Sequence, residues 1–258
     1  MNIYLSPHHD DICFSLAATV QRRRGGQLVN LFTRAEHVLA RTRLPRNREA
    51  RVREVTRLRT TEDQEFAAES SLTRHDLMLD EPALLGIHAF DTTNLDPEIK
   101  LLQGPLMELL QGFFLRQGPA GSALFCPMGI GGHRNHLSTL IAVAENLPRL
   151  KRSCRIFLYE DLPYASNPVA RARGVARALK IMRGEPLARL ILPLSSEAFT
   201  EKLRSVGLYA SQHPGPPPAS SFIPAAPDVT GPHEALWRVG RPSTSPSQPS
   251  QSGQDVVR

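Results

Sequence analysis

Two clusters of residues carry groups that hold metal ions and move protons. The first is His8-His9-Asp10-Asp11 and the second is His133-Arg134-Asn135-His136. His8 and Asp11 are three residues apart, as are His133 and His136, a spacing that puts each pair on one face of a helical turn. Two imidazoles and one carboxylate, with positions left open for water, form a recurring catalytic metal site. His8, Asp11 and His136 can supply that set, for zinc or equally for ferrous iron. Asp10 then stands beside the metal without ligating it, able to take a proton from a polarised water. His133 stands on the other side, able to donate a hydrogen bond or a proton to a developing oxyanion. A competing reading is that Asp10 and Asp11 cap a helix, where the backbone dipole favours carboxylates. On composition alone capping has equal weight; two adjacent histidines do nothing for a cap and favour a site. Gly129, Gly131 and Gly132 could cradle phosphate, but without a helix-opening GxGxxG pattern a tight loop is the simpler expectation.

Both clusters follow apolar runs that read as strands. Ile3-Tyr4-Leu5 ends at Pro7, and Ala123-Leu124-Phe125-Cys126 precedes the glycine loop. Ile12 to Val20 reads as a buried helix closed by Arg22-Arg23-Arg24-Gly25-Gly26, and Leu28 to Phe32 as the next strand, a strand-helix-strand unit that favours a parallel sheet. A long helix is expected from about Arg48 to Ser70 and a short strand at Leu77-Met78-Leu79. Another helix is expected from Pro97 to about Arg116, with Asp96 as N-cap, a kink at Gly104-Pro105 and an end at Gly118-Pro119. Helices from about His136 to Glu145, Pro168 to Met182 and Ser196 to Tyr209, the last with Ser196 as N-cap, alternate with strands at Arg155–Tyr159 and Leu190–Leu194. This alternation predicts an α/β sandwich, and ligands in such folds bind beyond the carboxyl ends of the strands, where both clusters lie. Loops at about 34–47, 80–96 and the Pro/Ala/Ser-rich 214–232 are expected to shape a pocket. His37, His75, His88, His213 and His233 are isolated and read as ordinary polar positions, with His213 and His233 the two that could face a substrate.

The chain has 258 residues, 31 Lys and Arg against 25 Asp and Glu, and a formal net charge of +6. Its basic stretch from Arg41 to Arg59 is mixed with Glu49 and Glu54, and no aromatics interleave to stack on bases, so a solvated helix face is expected rather than nucleic-acid binding. Cys13, Cys126 and Cys154 are too few and too widely spaced for a disulfide framework and read as buried thiols. The opening Met1-Asn2-Ile3-Tyr4-Leu5 has no basic segment or cleavage site, and no run reaches the length of a spanning helix. A protein of the cytoplasm without a transmembrane segment is therefore expected. Nothing in the sequence indicates an oligomeric state. Residues 241–258 are Ser, Pro and Gln with almost no apolar content, which predicts a disordered tail.

The two clusters also resemble a known family. Ser6-Pro7-His8-His9-Asp10-Asp11 is similar to the PHPDDE signature of the LmbE-like (PIG-L) N-deacetylases, and Gly132-His133-Arg134-Asn135-His136 to their second motif, a His-x-Asp-His after glycine. Arg59-Thr60-Thr61-Glu62 resembles an Arg-x-x-Glu stretch between the motifs. Leu158-Tyr159-Glu160-Asp161-Leu162-Pro163-Tyr164 resembles a stretch common in bacterial members, and Tyr209-Ala210-Ser211-Gln212 a late Tyr-x-Ser-Gln element. The resemblance covers about residues 1–240. It implies a Rossmann-like three-layer α/β sandwich with a mainly parallel sheet. It also implies a zinc ion and hydrolysis of an N-acetyl group from an N-acetylglucosamine-type sugar in a glycoconjugate, glycolipid or small metabolite. By position, His8, Asp11 and His136 match the metal ligands, Asp10 the general base and His133 the residue that stabilises or protonates the tetrahedral intermediate. Arg59 matches a substrate-binding position. Three positions depart from the pattern: His9 replaces a proline, Ile12 replaces a glutamate and Asn135 replaces an aspartate. An aspartate at 135 could orient His133 and raise its basicity; asparagine would leave His133 a weaker base and more readily neutral. The alternatives are a non-catalytic sugar-binding protein that kept the fold, which would have no use for Asp10, and another metal-dependent amidohydrolase.

Overall fold

The computed structural model describes residues 1–40, 43–117 and 121–240. The expected disordered tail and the Gly118-Pro119 helix end lie outside the described residues. The strands are β1 (Asn2–Ser6), β2 (Gly26–Asn30), β3 (Leu72–Asp76), β4 (Ala123–Pro127), β5 (Arg155–Tyr159), β6 (Leu187–Pro193) and β7 (His233–Val239). The helices are α1 (Asp11–Arg23), α2 (Arg48–Glu69), α3 (Asp96–Gln117), α4 (Arg134–Glu145), α5 (Leu147–Leu150), α6 (Pro168–Ile181) and α7 (Ser196–Val206). The strands form one sheet in the order β3-β2-β1-β4-β5-β7-β6. The first five run parallel, and β7 is antiparallel to both its neighbours.

Burial explains the strand sequences. Ile3, Tyr4 and Leu5 in β1 and Leu124, Phe125 and Cys126 in β4 are all fully buried. Successive strand residues point to opposite faces, so consecutive burial means that helices cover both faces of the sheet centre. The expected sandwich with a mainly parallel sheet is therefore the observed fold. β3 runs at the sheet edge, five residues before the expected Leu77-Met78-Leu79. Its sequence, Leu-Thr-Arg-His-Asp, is polar because an edge strand is only half covered. β7 is a strand that the alternation of apolar runs does not announce, since His233, Glu234 and Arg238 interrupt it. The N-cap of α7 is Ser195, which accepts from Ala198 N, rather than Ser196. Asp96 lies inside the first turn of α3 rather than before it, and its N–H donates to Asn94 Oδ1 at 3.2 Å. Pro105 sits within α3, whose inward stripe is Ile99, Leu102, Leu106, Leu110 and Phe113, while Leu101 is 56 % exposed.

The order reverses between β1 and β4, the two strands from the middle of the sheet outward. Crevices at such a reversal are where open α/β sheets bind ligands. The loops leaving β1 and β4 carry the two clusters of ionisable residues to that point. α2 leans over it with an inward stripe of Val55, Arg59, Glu62, Asp63, Phe66 and Ala67 at helical spacing. Half of that stripe is charged, which a helix that only packed a core would not tolerate.

Candidate metal centre

β1 ends at Ser6, and the chain turns directly into α1. Ser6 Oγ donates to His8 O (2.5 Å) and accepts from Ile12 N (3.3 Å), which shapes the turn. Asp10 occupies the N-cap position of α1, but its side chain makes no capping hydrogen bond. Instead Asp10 Oδ1 faces the guanidinium of Arg59 at 3.3 Å. The capping reading thus fails for Asp10, and its second oxygen is left to the cleft. Asp11 Oδ2 accepts from the His8 backbone N–H at 2.7 Å.

The chain leaving β4 reaches α4 through glycines with positive φ: Gly129, Gly131 and Gly132. A Cβ on Gly131 would collide with the Tyr164 ring. The backbone N–H groups of Met128 and Ile130 are spent on Asp161 Oδ2, at 3.1 and 2.8 Å. The loop is therefore a tight turn built around a carboxylate, not a phosphate cradle. His133 is the N-cap of α4, with Nδ1 accepting from Asn135 N at 3.3 Å. That bond leaves the ring proton on Nε2.

The imidazoles of His8, His133 and His136 meet with ring centroids 4.7 to 5.3 Å apart. Asp11 lies among them, Oδ2 at 3.2 Å from His8 Nδ1 and Oδ1 at 3.2 Å from His136 Nε2. His136 Nδ1 meets Asp161 Oδ1 at 2.7 Å. This bond puts the ring proton on Nδ1 and turns Nε2 toward Asp11. Among the described residues, His136 Nε2 is buried without a hydrogen-bond partner. An orphaned imidazole nitrogen beside a carboxylate, backed by a second carboxylate on the far side of the ring, is the donor arrangement that a divalent metal completes. Donor atoms all within 4.8 Å of one another come from His8, His133 and His136, or from His8, Asp10 and Asp11, whereas Asp11 links His8 and His136 by one oxygen each. The residues fit a divalent cation.

Burial pushes the His136 imidazole down, but Asp11 and Asp161 outweigh it and push it up to about 10. Burial pushes the Asp11 carboxyl up, but His136 and His8 outweigh it and hold it well below the usual carboxylate range. Burial pushes the His8 imidazole down, and Asp11 more than offsets this. Burial pushes the Asp10 carboxyl up, with Arg59 opposing. Burial, reinforced by His8 and His136, pushes His133 far down, so its ring is neutral. Its neutrality thus comes from its surroundings rather than from Asn135. The Asn135 side chain turns away from His133 and meets His8 Nε2 at 2.9 Å.

These groups line a cleft of about 390 Å³ whose wall includes His8, Asp10, Asp11, Arg59, Glu81, Phe90, His133 and Tyr164. Arg59 is buried with its guanidinium between Asp10 and Glu81. His37 and Leu39 bring the 34–47 loop to the cleft, and Glu81, Pro82, Ala83, Ala89 and Phe90 bring the 80–96 loop. The 214–232 loop does not line it among the described residues; Leu162, Pro163, Tyr164 and Gln212 take that place. His37, read as an ordinary position, reaches the cleft, whereas His213 packs on Phe222 and His233 on its own loop. Asp161, Glu98 and Glu81 are buried carboxylates that spacing alone did not single out. The signal for Asp161 was its place immediately after a buried strand, in a fold whose ligands gather at strand ends.

No family model matches the chain, and no curated protein matches it. Solved structures do. The A40926 pseudoaglycone deacetylase is 19 % identical, with a TM-score of 0.62 over 92 % of this chain and 96 % of that one. The zinc-inhibited form of teicoplanin deacetylase is 17 % identical, with a TM-score of 0.66 over 95 % and 99 %. The N,N'-diacetylchitobiose deacetylase of Pyrococcus horikoshii is 14 % identical, with a TM-score of 0.51 over 83 % and 70 %. At these identities the likeness establishes the fold that this chain shares with them. Among the described residues, no helix is long and apolar enough to cross a membrane.

Proposed function

We propose that the protein is a metal-dependent N-deacetylase that removes the acetyl group from an N-acetylglucosamine-type sugar in a glycoconjugate, glycolipid or small metabolite. The observation that carries this reading is the convergence of His8 Nδ1 and the buried His136 Nε2 on Asp11, beneath a cleft lined by His8, Asp10, Asp11 and His133. The motif resemblance to LmbE-like enzymes and the shared fold with three sugar or glycopeptide deacetylases support the same conclusion.

His8, Asp11 and His136 hold the metal. A cation bound there would polarise the acetyl carbonyl and acidify water. Asp10 takes the water proton as hydroxide attacks the acetyl carbon; its burial favours proton uptake, and Arg59 fixes one of its oxygens so that the other faces the cleft. His133 donates its Nε2–H to the oxyanion. Because that ring is neutral, it supplies a hydrogen bond and Asp10 returns its proton to the departing amine. Phe90 and Tyr164 stand beside the histidines, ring centroids 5.6 Å from His133 and 6.0 Å from His136, as apolar walls against which a pyranose ring can lie. The products are acetate and a free amino sugar.

Zinc is the metal proposed, with ferrous iron compatible with the same ligands. A structural neighbour is described in a zinc-inhibited form, so reconstitution should compare both ions across a range of metal concentration. The three free thiols, all buried, accord with work in the reducing cytoplasm. The test is acetate release from a panel of N-acetylated sugars and glycolipids, with and without chelator. Chelator-sensitive release from at least one member is expected. A protein that binds these sugars, with or without metal, but never releases acetate is a binding protein and contradicts the proposal.

A further inference from the structure

The mechanism leaves one buried carboxylate beside the site without a task. Glu98 lies in the first turn of α3, distant in sequence from both clusters, and is buried. Its oxygens are divided between two partners. Oε2 accepts from Arg134 Nε at 2.7 Å, and Oε1 accepts from Asn135 Nδ2 at 2.6 Å. Arg134 is itself fixed, donating to Asp91 O at 2.7 Å and to Asn94 O at 3.1 Å. The 80–96 loop therefore holds Arg134, Arg134 holds Glu98, and Glu98 holds Asn135.

An asparagine amide can turn over without changing shape, exchanging its carbonyl for its amino group. A carboxylate paired with arginine only accepts, so Glu98 keeps the amino end of Asn135 toward itself. The carbonyl end is then forced toward His8 Nε2, 2.9 Å away. A carbonyl also only accepts, so His8 carries its proton on Nε2 and keeps the Nδ1 lone pair for the side facing Asp11. Three residues spread over α3 and α4 thereby set which nitrogen of an N-terminal histidine is available.

We infer that Glu98 and Asn135 are a matched pair of positioning residues that fix the tautomer of His8 for metal binding, an inference that rests on reading His8 as a ligand. Asparagine at 135 is then not a weakened aspartate. With Glu98 opposite, an aspartate would bring two carboxylates to hydrogen-bond distance with no proton between them. A glutamine at 98 would relieve that conflict, because its amide can donate to the new carboxylate.

The test is a zinc-affinity cycle on the parent, Asn135→Asp, Glu98→Gln and the double variant, measured by competition with a chromogenic chelator. Asn135→Asp is expected to lose about 10–100-fold in affinity, as for other partners that orient a metal-binding histidine. Glu98→Gln alone should lose less than about tenfold, because its carbonyl can still accept from Asn135. Adding Glu98→Gln to Asn135→Asp should recover most of the loss. A generic structural defect would not be rescued in this way, since two defects add. If Asn135→Asp does not fold, Asn135→Leu removes the acceptor without adding charge and should lose the same 10–100-fold. Additive losses in the cycle, or parental affinity in Asn135→Leu, overturn the inference while leaving the metal centre intact. A parent that binds no divalent metal overturns the metal centre and this inference with it.

Discussion

Two clusters of buried charge meet α1, and they are built to opposite specifications. In the middle of the helix, Leu16 departs from helical geometry (φ −132°, ψ 18°) and interrupts the backbone ladder. The freed N–H groups of Ala18 and Thr19 donate to Glu234 at 3.0 and 2.8 Å, and Thr19 Oγ1 adds a third bond at 2.6 Å. Lys202 Nζ joins Glu234 Oε1 at 3.0 Å and also donates to Ser15 O at 3.1 Å. Glu234 and Lys202 are fully buried and have partners for their charged atoms. At the N-terminus of the same helix, Asp11 and two histidines are also buried, yet among the described residues His136 Nε2 has no hydrogen-bond partner and Asp10 is not spent on the cap. The saturated cluster mends a broken helix; the unsaturated one fits a divalent cation.

The comparison can be broken from either side. Asp11→Ala should abolish stoichiometric metal binding, and with it the stabilisation that metal confers, about 2.7 kcal/mol at a metal concentration one hundred times Kd. Lys202→Ala strands the Glu234 charge in the interior and should cost about 3–5 kcal/mol in chemical denaturation while keeping the full metal-induced increment. If Lys202→Ala abolished metal binding, or if Asp11→Ala kept it, the division of labour along α1 would be wrong. Asp161→Asn sharpens the contrast, because Asp161 is saturated on one oxygen by Met128 and Ile130 N–H groups and orients His136 with the other. It should weaken zinc binding by about 10–100-fold in chelator competition. Arg59→Gln is read as a shift in pH dependence rather than as a loss of binding. Burial raises the Asp10 carboxyl and Arg59 opposes it, so removing the guanidinium should raise it further. The acid limb of the pH–rate profile should then move to higher pH, because Asp10 must be deprotonated to act as base. An unmoved acid limb would remove Asp10 from that role.

Much of this arrangement was legible in the sequence because it is local. The spacing of His8, Asp10 and Asp11, and of His133 and His136, marked two clusters at two strand ends, and the fold brings them to one cleft. What was not legible depends on distant elements. Whether Asp10 caps its helix is decided by Arg59, 49 residues away. The side chain of Asn135 meets His8, 127 residues away, and not the nearby His133 ring. β7 hid behind Glu234, which looks like a surface residue until Lys202 and the break in α1 are placed around it. The edge strand β3 precedes the apolar Leu77-Met78-Leu79 because a half-covered strand carries polar residues. The 214–232 loop was expected at the cleft on composition alone, and composition does not say which way a loop runs.

In the proposed mechanism Asp10 is a base beside the metal and not one of its ligands. Asp10→Asn keeps the size and one acceptor of the side chain and removes its proton chemistry. Metal content and acetate release should be measured on the same preparation, at saturating metal, with an N-acetylated sugar that the parent hydrolyses. The expected result is parental metal content with turnover reduced by about 10²–10⁴-fold. Parental turnover, or loss of the metal together with activity, would contradict it.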